Sequence, residues 1–298
     1  MNLLSALPGA VAQGLVWGIM AIGVYISYKI LDFADLTVDG SLCTGAAVCT
    51  VLILAGVNPV LAMLAAIVAG FAAGAVTGAL HIVLGIPAIL SGILTQLMLW
   101  SVNLVIMGKA NLALMSRNAG VSVLITQMFT GRSIGILAGI CVVLVGLLYL
   151  FFGTELGCSI RATGCNSAMS RAQGINTNFT KILGLALSNA IVAFSGALLC
   201  QYQGSADINM GRGAIVVGLA AVIIGEAIFS RISSNFAVRL VGVLAGSVIY
   251  YLVYQAVISV GFNSDLLKMF SAVVVALFLG IPYIKNHYFA SKGGKKNA

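Results

Sequence analysis

The chain has 298 residues, of which 61% are hydrophobic and 7% charged, with 35 glycines, a net charge of +8 and a mean hydropathy of +1.12. So little polar surface cannot cover a soluble core, which excludes a soluble domain and implies an all-α, polytopic membrane helix bundle. The basic residues sit in short connections and the C-terminal segment rather than in a stripe, which fits the positive-inside rule and excludes a nucleic-acid partner.

The opening MNLLSALPGAVAQGL lacks a positive n-region and a clean cleavage site, so it reads as part of the bundle rather than a removed signal peptide. Hydrophobic runs predict nine spans in one domain over residues 1–298: 10–31, 39–56, 59–84, 86–108, 133–153, 179–202, 214–230, 236–261 and 266–284. That places the count at about 8 to 10 crossings, in contact with membrane lipid.

The first span carries Lys29 near its end and runs into DFADLTVDG, which holds Asp32, Asp35 and Asp39, three of the seven acids. Two readings stand. In one, this is a discontinuous helix whose unwound backbone and half-helix N-terminus line a solute path, with Asp35, Thr37, Asp39 and Ser41 along it. In the other it is an interfacial loop in which Asp35 or Asp39 caps the next helix. Asp32 near Lys29 reads as a weak interfacial ion pair. Further on, AAIVAGFAAGAVTGAL (65–80) has the small-xxx-small spacing of close helix packing, and His81 reads as a hydrogen-bonded packing residue.

The loop from Lys109 to Arg132 falls on the outer side by span count, against its basic residues; its ALMSRNAGVSVLITQMF reads as partly helical and superficial. After the fifth span comes GCSIRATGCNSAMSRAQGINTNFTK, residues 157–181. It predicts a short helix from about Ser167 to Gln173 lying along the membrane surface, capped by Asn166 and ended by Gly174 in a left-handed turn. Met169 and Ala172 offer an apolar knob and Arg171 a charge, a shape suited to a groove in a soluble partner.

After the sixth span, Ser205 to Gly213 echoes Phe33 to Gly40: each has Ala-Asp, a branched aliphatic, a small polar residue, an aliphatic and a glycine turn, then a small-residue helix. The echo predicts an inverted repeat and adds Asp207 and Asn209 to the solute path. Glu226, isolated in AAVIIGEAIFSR, either faces the bundle interior or approaches the interface near Arg231, and the pairing at the interface is the one expected. The connections 154–180 and 230–239 and the basic tail 285–298 share one side, the cytoplasm, so the C-terminus is expected there.

Catalytic chemistry has no footing. GxxxxGK[ST] and HExxH are absent, His81 and His287 lie far apart, and no cofactor or metal is implied. The six cysteines contain no CxxC, and Cys43, Cys49, Cys141, Cys158 and Cys200, in or beside apolar stretches, read as small buried thiols.

In the 157–178 region, Gly157, Arg161, Ala162, Asn166, Ala168, Gly174, Ile175 and Asn176, followed by Lys181, Ser188, Gly196 and Ala197, resemble the cytoplasmic coupling region of permease subunits in ABC importers of the branched-chain amino acid and ribose type. GLVWGIMAIGVYISYKILDFADLTVDGS is similar to that family's opening, and GAIVVGLAAVIIGEAIF to its later segment, where a glycine usually stands at the position of Glu226. Within the family, LTVDGS looks most like permeases grouped with tryptophan and tyrosine transport.

The resemblance implies a cell-membrane permease subunit, one of two identical halves, passing a small solute such as an amino acid. It implies a cytoplasmic ATP-binding subunit that grips Asn166, Ser167, Ala168, Met169, Arg171, Ala172 and Gly174, and an extracytoplasmic solute-binding protein. The competing class is a secondary transporter or channel, for which Glu226 would be the coupling carboxylate.

Overall fold

The computed structural model describes residues 3–114, 123–125, 130–229 and 235–259, with the single positions 269, 273, 276 and 280 beyond them. Among the described residues six helical stretches are long and apolar enough to cross a membrane: Ala6–Ile30, Pro59–Ile82, Ala88–Met107, Gly131–Phe152, Thr177–Gln203 and Phe236–Ser259. Two further apolar helices are shorter. The ninth expected span, 266–284, the basic tail and Arg231 lie outside the described residues, apart from the single positions.

α1 (Leu3–Tyr25) passes into a π-helical turn, Ile26–Ile30, closed by the Leu31 N–H donating to the Ile26 carbonyl at 3.0 Å. Asp32 then takes a left-handed φ of 53°, and the chain runs non-helically through residues 33–35 into a turn before α2 (Val38–Leu54). α3 (Pro59–Ile82) starts where proline needs no donor and the Asn58 side chain accepts from the Val60 N–H at 2.9 Å. α4 (Ala88–Met107) follows and ends on left-handed Gly108.

The loop after α4 was expected to be partly helical; most of it lies outside the described residues, but Asn111–Ala113 forms a strand, β1. β1 pairs antiparallel with β2 (Ser205–Asp207), in the register Asn111 to Asp207. Between the strands come α5 (Thr130–Phe152), α6 (Glu155–Cys165), α7 (Ser167–Ala172) and α8 (Thr177–Gln203); α9 (Ala214–Phe229) and α10 (Phe236–Ser259) complete the bundle.

α8 is its axis. α3 and α2 pack on one side of it and α1 on another, and Gly74 of α3 lies so close to the Leu185 carbonyl and the Ala186 backbone that no Cβ fits. Serines lock the helices around α1. Ser188 donates to the Gly23 carbonyl at 2.8 Å, Ser195 to that of Val16 at 2.7 Å and Ser247 of α10 to that of Gly14 at 2.7 Å.

The expected inverted repeat is visible in the packing. α1 lies against α9 and α10, while α8 lies against α2 and α3, so each motif-preceding helix packs on the helices that follow the other motif. The two run antiparallel: α1 ends beside α6, at Gly164 against the Ile30 carbonyl, whereas α8 begins beside α6 and ends at β2. The echoed segments even fold alike. The Asp35 Oδ1 accepts from the Thr37 N–H at 2.9 Å, and the Asp207 Oδ1 from the Asn209 N–H at 2.7 Å.

α2 and α9, of 17 and 16 residues, are about 25 Å long at 1.5 Å per residue. Both begin inside the bundle: Gly40 abuts Gln96 and Leu99 midway along α4, and Gly218 abuts Met20 and Val24 of α1. The discontinuity expected at residues 32–40 is therefore real, and it is repeated before α9.

Candidate functional site

The first candidate region is the polar interior where the two short helices begin. Asp35, 2% exposed, receives the Asn189 side-chain N–H at 2.6 Å as well as the Thr37 N–H. The Asn189 Oδ1 accepts from the Ser41 hydroxyl at 2.6 Å, and the Thr37 hydroxyl meets that of Thr77 at 2.8 Å. Asp35, Thr37 and Ser41, expected together, are thus brought together and joined to α3 and α8 by Thr77 and Asn189.

Neither aspartate caps α2. Thr37 is its N-cap and makes no side-chain cap bond. Asp39 instead caps the other short helix: its Oδ2 accepts from the Gly213 N–H and its Oδ1 from the Ile215 N–H, both at 3.0 Å. The anion-attracting end of α9 is therefore already occupied by a carboxylate from the opposite repeat. Asp207 and Asn209 stand apart from this network; Asp207 sits in the hairpin, its Oδ2 accepting from Asn111 at 3.1 Å, and Asn209 is exposed.

Beside Asp39 lies a cavity of about 240 Å³ lined by Gly40, Cys43, Gln96, Trp100, Asn103 and Arg212, among others. Gln96, Trp100, Asn103 and Asn189 were not singled out from the sequence. Their signal was present: an amide inside an apolar run must find a partner or line a path. Cys43 behaves as a buried thiol should, donating to the Ile208 carbonyl at 3.4 Å and accepting from the Gly211 N–H at 3.2 Å. Cys49, Cys141 and Cys200 are also buried, but Cys158 is exposed, because α6 is a surface helix and not the continuation of α5.

The second candidate region is α6–α7. Asn166 ends α6 and starts α7, accepting from the Ala168 and Met169 N–H groups at 3.1 and 3.0 Å, and Gly174 takes φ 82° just after the helix. The expected helix from Ser167 to Gln173 is α7, with Gln173 as its C-cap. Ala168, Met169, Arg171, Ala172 and Gly174 are exposed, Met169 at 64%, and Ser167 is half-buried.

α6, by contrast, is bolted to the bundle. Ile160 is fully buried, the Thr163 hydroxyl meets that of Thr180 of α8 at 2.9 Å, and Arg161 lies over the Phe236 ring of α10 at 5.6 Å. The last contact also brings α6 and the start of α10 to one end of the bundle.

Lys29 and Glu226 join the repeats near that end, Nζ to Oε2 at 3.1 Å. The expected partner of Glu226, Arg231, lies outside the described residues; within them Glu226 pairs with Lys29, because α9 descends beside the π-helical end of α1. Asp32 does not pair with Lys29, whose ammonium engages Glu226 instead. His81, as expected, is a packing residue: its Nδ1 bonds the Ile86 carbonyl at 2.7 Å and its ring meets Phe33 edge-on at 5.1 Å.

Residues 7–282 match the family described as branched-chain amino acid transport system, permease component. The chain is 41% identical over 278 residues to the tyrosine transport system permease protein of Clostridioides difficile (strain R20291), covering 93% of this chain and 91% of that one. It is 28% identical over 269 residues to the ribose import permease protein RbsC of Escherichia coli (strain K12), covering 89% and 81%, and 27% identical over 275 residues to the fructose import permease protein FruF of Bifidobacterium longum (strain NCC 2705), covering 89% and 74%. No solved structure matches.

Proposed function

Because the chain belongs to the branched-chain amino acid transport system permease family, and is thus a multi-pass membrane transport subunit, we propose that it passes an aromatic amino acid of the tyrosine kind through the cell membrane, driven by ATP hydrolysed on a separate cytoplasmic subunit. Two copies form the pathway, and an extracytoplasmic solute-binding protein delivers the solute to the β1–β2 end. The C-terminal tail lies in the cytoplasm with α6 and α7. The aromatic solute is supported by the 41% identity to a tyrosine transport system permease protein.

The observation that carries the reading is the contrast between α7 and α6. α7 presents Met169, Arg171 and Ala172 to a partner, while α6 is fixed to the end of α1 and the starts of α8 and α10. A push on α7 therefore moves the π-helical end of α1 and, through Leu31 to Asp35, the polar network at the starts of the short helices. Asp35, Thr37, Asp39 and Ser41 act there as the pathway, with Asp207 and Asn209 at its outer mouth.

Arg171 tests the docking role. Arg171→Glu is expected to lower both solute uptake and binding-protein-stimulated ATPase activity by about tenfold or more, because a reversed charge at a docking rim repels its partner. The measurement is made on the assembled importer in proteoliposomes, with membrane insertion checked by protease protection. Undiminished stimulation of ATPase activity in that variant would contradict the role of α7.

A further inference from the structure

The residues around the cavity beside Asp39 hold an acceptor that no donor satisfies. Asn103 is 1% exposed, and its Oδ1 is buried with no hydrogen-bond partner. The orientation of the amide follows from its neighbour: the Nδ2 faces the Gly40 carbonyl at 3.5 Å, which can only accept, so the free atom is the oxygen. A buried acceptor left alone is costly, and Asn103 lines the cavity although this atom is itself closed off from it, so a donor in the cavity reaches it once the wall relaxes.

Asp39 adds further acceptor capacity. Its carboxylate oxygens take the Gly213 and Ile215 N–H groups, with the Ala214 N–H also against them, and these three donors leave lone-pair capacity over. α9 in turn has no free amide end to offer an anion, since Asp39 fills it. The positive group in the lining is Arg212, which makes no ion pair among the described residues. Trp100, 44% exposed, supplies an aromatic face beside it.

From this juxtaposition we propose that the cavity is a transit subsite for the zwitterionic head of an amino acid: Asn103 Oδ1 and Asp39 receive the ammonium group, Arg212 the carboxylate, and Trp100 flanks the side chain. The volume of 240 Å³ suits one such molecule. Two partly committed acceptors hold an ammonium group loosely, as a conduit requires, since tight binding would stop release. The inference rests on the amino-acid reading above and adds which atoms meet the solute.

The test uses the whole importer in proteoliposomes with its binding protein, ATP and radiolabelled L-tyrosine. Asn103→Leu, which keeps the branched outline and removes the acceptor, is expected to lower uptake about tenfold, the loss of one charge-assisted hydrogen bond, with binding-protein-stimulated ATPase activity within about twofold of the unaltered complex. Asn103→Ala, which adds no bulk, must show the same loss should the leucine variant fail to assemble. Asn103→Asp, which keeps an acceptor in place, is expected to retain at least about half the uptake. Undiminished uptake in the leucine or alanine variant, or an equal loss in the aspartate variant, overturns the subsite alone. Failure of the unaltered importer to carry L-tyrosine or any other amino acid overturns the subsite together with the reading it rests on.

Discussion

Replacing Asp35 by alanine is expected to destabilise the bundle by about 3 kcal/mol and to cut solute uptake by roughly tenfold or more, because two buried donors lose their acceptor at once. One is the Thr37 N–H at 2.9 Å and the other the Asn189 amide at 2.6 Å. Asn189 keeps its bond to the Leu185 carbonyl at 3.0 Å, so the loss falls on the bond that ties α8 to the non-helical segment. Asp35→Asn does not rescue it fully: the new amide can offer its oxygen to one donor only, and its N–H₂ then faces the other. Thermal unfolding of the purified chain in detergent should rank the original above Asp35→Asn and that above Asp35→Ala. Equal melting temperatures for all three would mean that this network does not hold the start of α2.

Gly164→Val is expected to uncouple the ends of the machine. Gly164 lies against the Ile30 carbonyl, and a Cβ there would also come within 2.9 Å of Leu31 Cα. Both obstacles are backbone, so neither can swing aside. α6 must lift, exposing Ile160 and stretching the Thr163–Thr180 contact, at a cost of about 1 to 3 kcal/mol, as for other overpacked sites. The functional loss exceeds the structural one, because Gly164 sits where a displacement of α7 reaches α1. Binding-protein-stimulated ATPase activity in proteoliposomes should fall by roughly tenfold, while basal ATPase activity, which the partner performs alone, persists. Stimulation equal to the original chain would show that force takes another route.

These expectations differ in how much of them could be read from the residues alone. α7 was legible because its ends are local: Asn166 caps from within three residues and Gly174 needs only its own backbone freedom. The discontinuity at Asp32 to Asp39 was legible as a polar interruption of an apolar sequence. What Asp39 holds was not, since its partners on α9 lie 174 and 176 residues further on and nothing local distinguishes capping its own helix from capping another.

Asn189 and Asn103 escaped for the opposite reason: each sits alone in an apolar helix, and only the packing decides whether such an amide is a strut or a lining residue. The structure makes Asn189 the first and leaves one atom of Asn103 free. The β1–β2 pairing was hidden because strands of three residues, far apart in the chain, have no period to read. The Lys29 partner of Glu226 was hidden too, since it lies far off in sequence and only the inverted repeat sets α9 beside α1.

Transport by this route requires above all that α7 be gripped from the cytoplasm, and a cross-linking measurement reaches that point directly. In a chain carrying Met169→Cys, with the exposed Cys158 and Cys165 changed to serine, a photoactivatable maleimide is attached in the assembled importer. The expected result is an adduct between this chain and the ATP-binding subunit, formed in yields that differ between the nucleotide-free and ATP-bound states. Absence of that adduct in an importer that still transports, or reaction of the introduced thiol with a membrane-impermeant maleimide from the extracytoplasmic side, would contradict it.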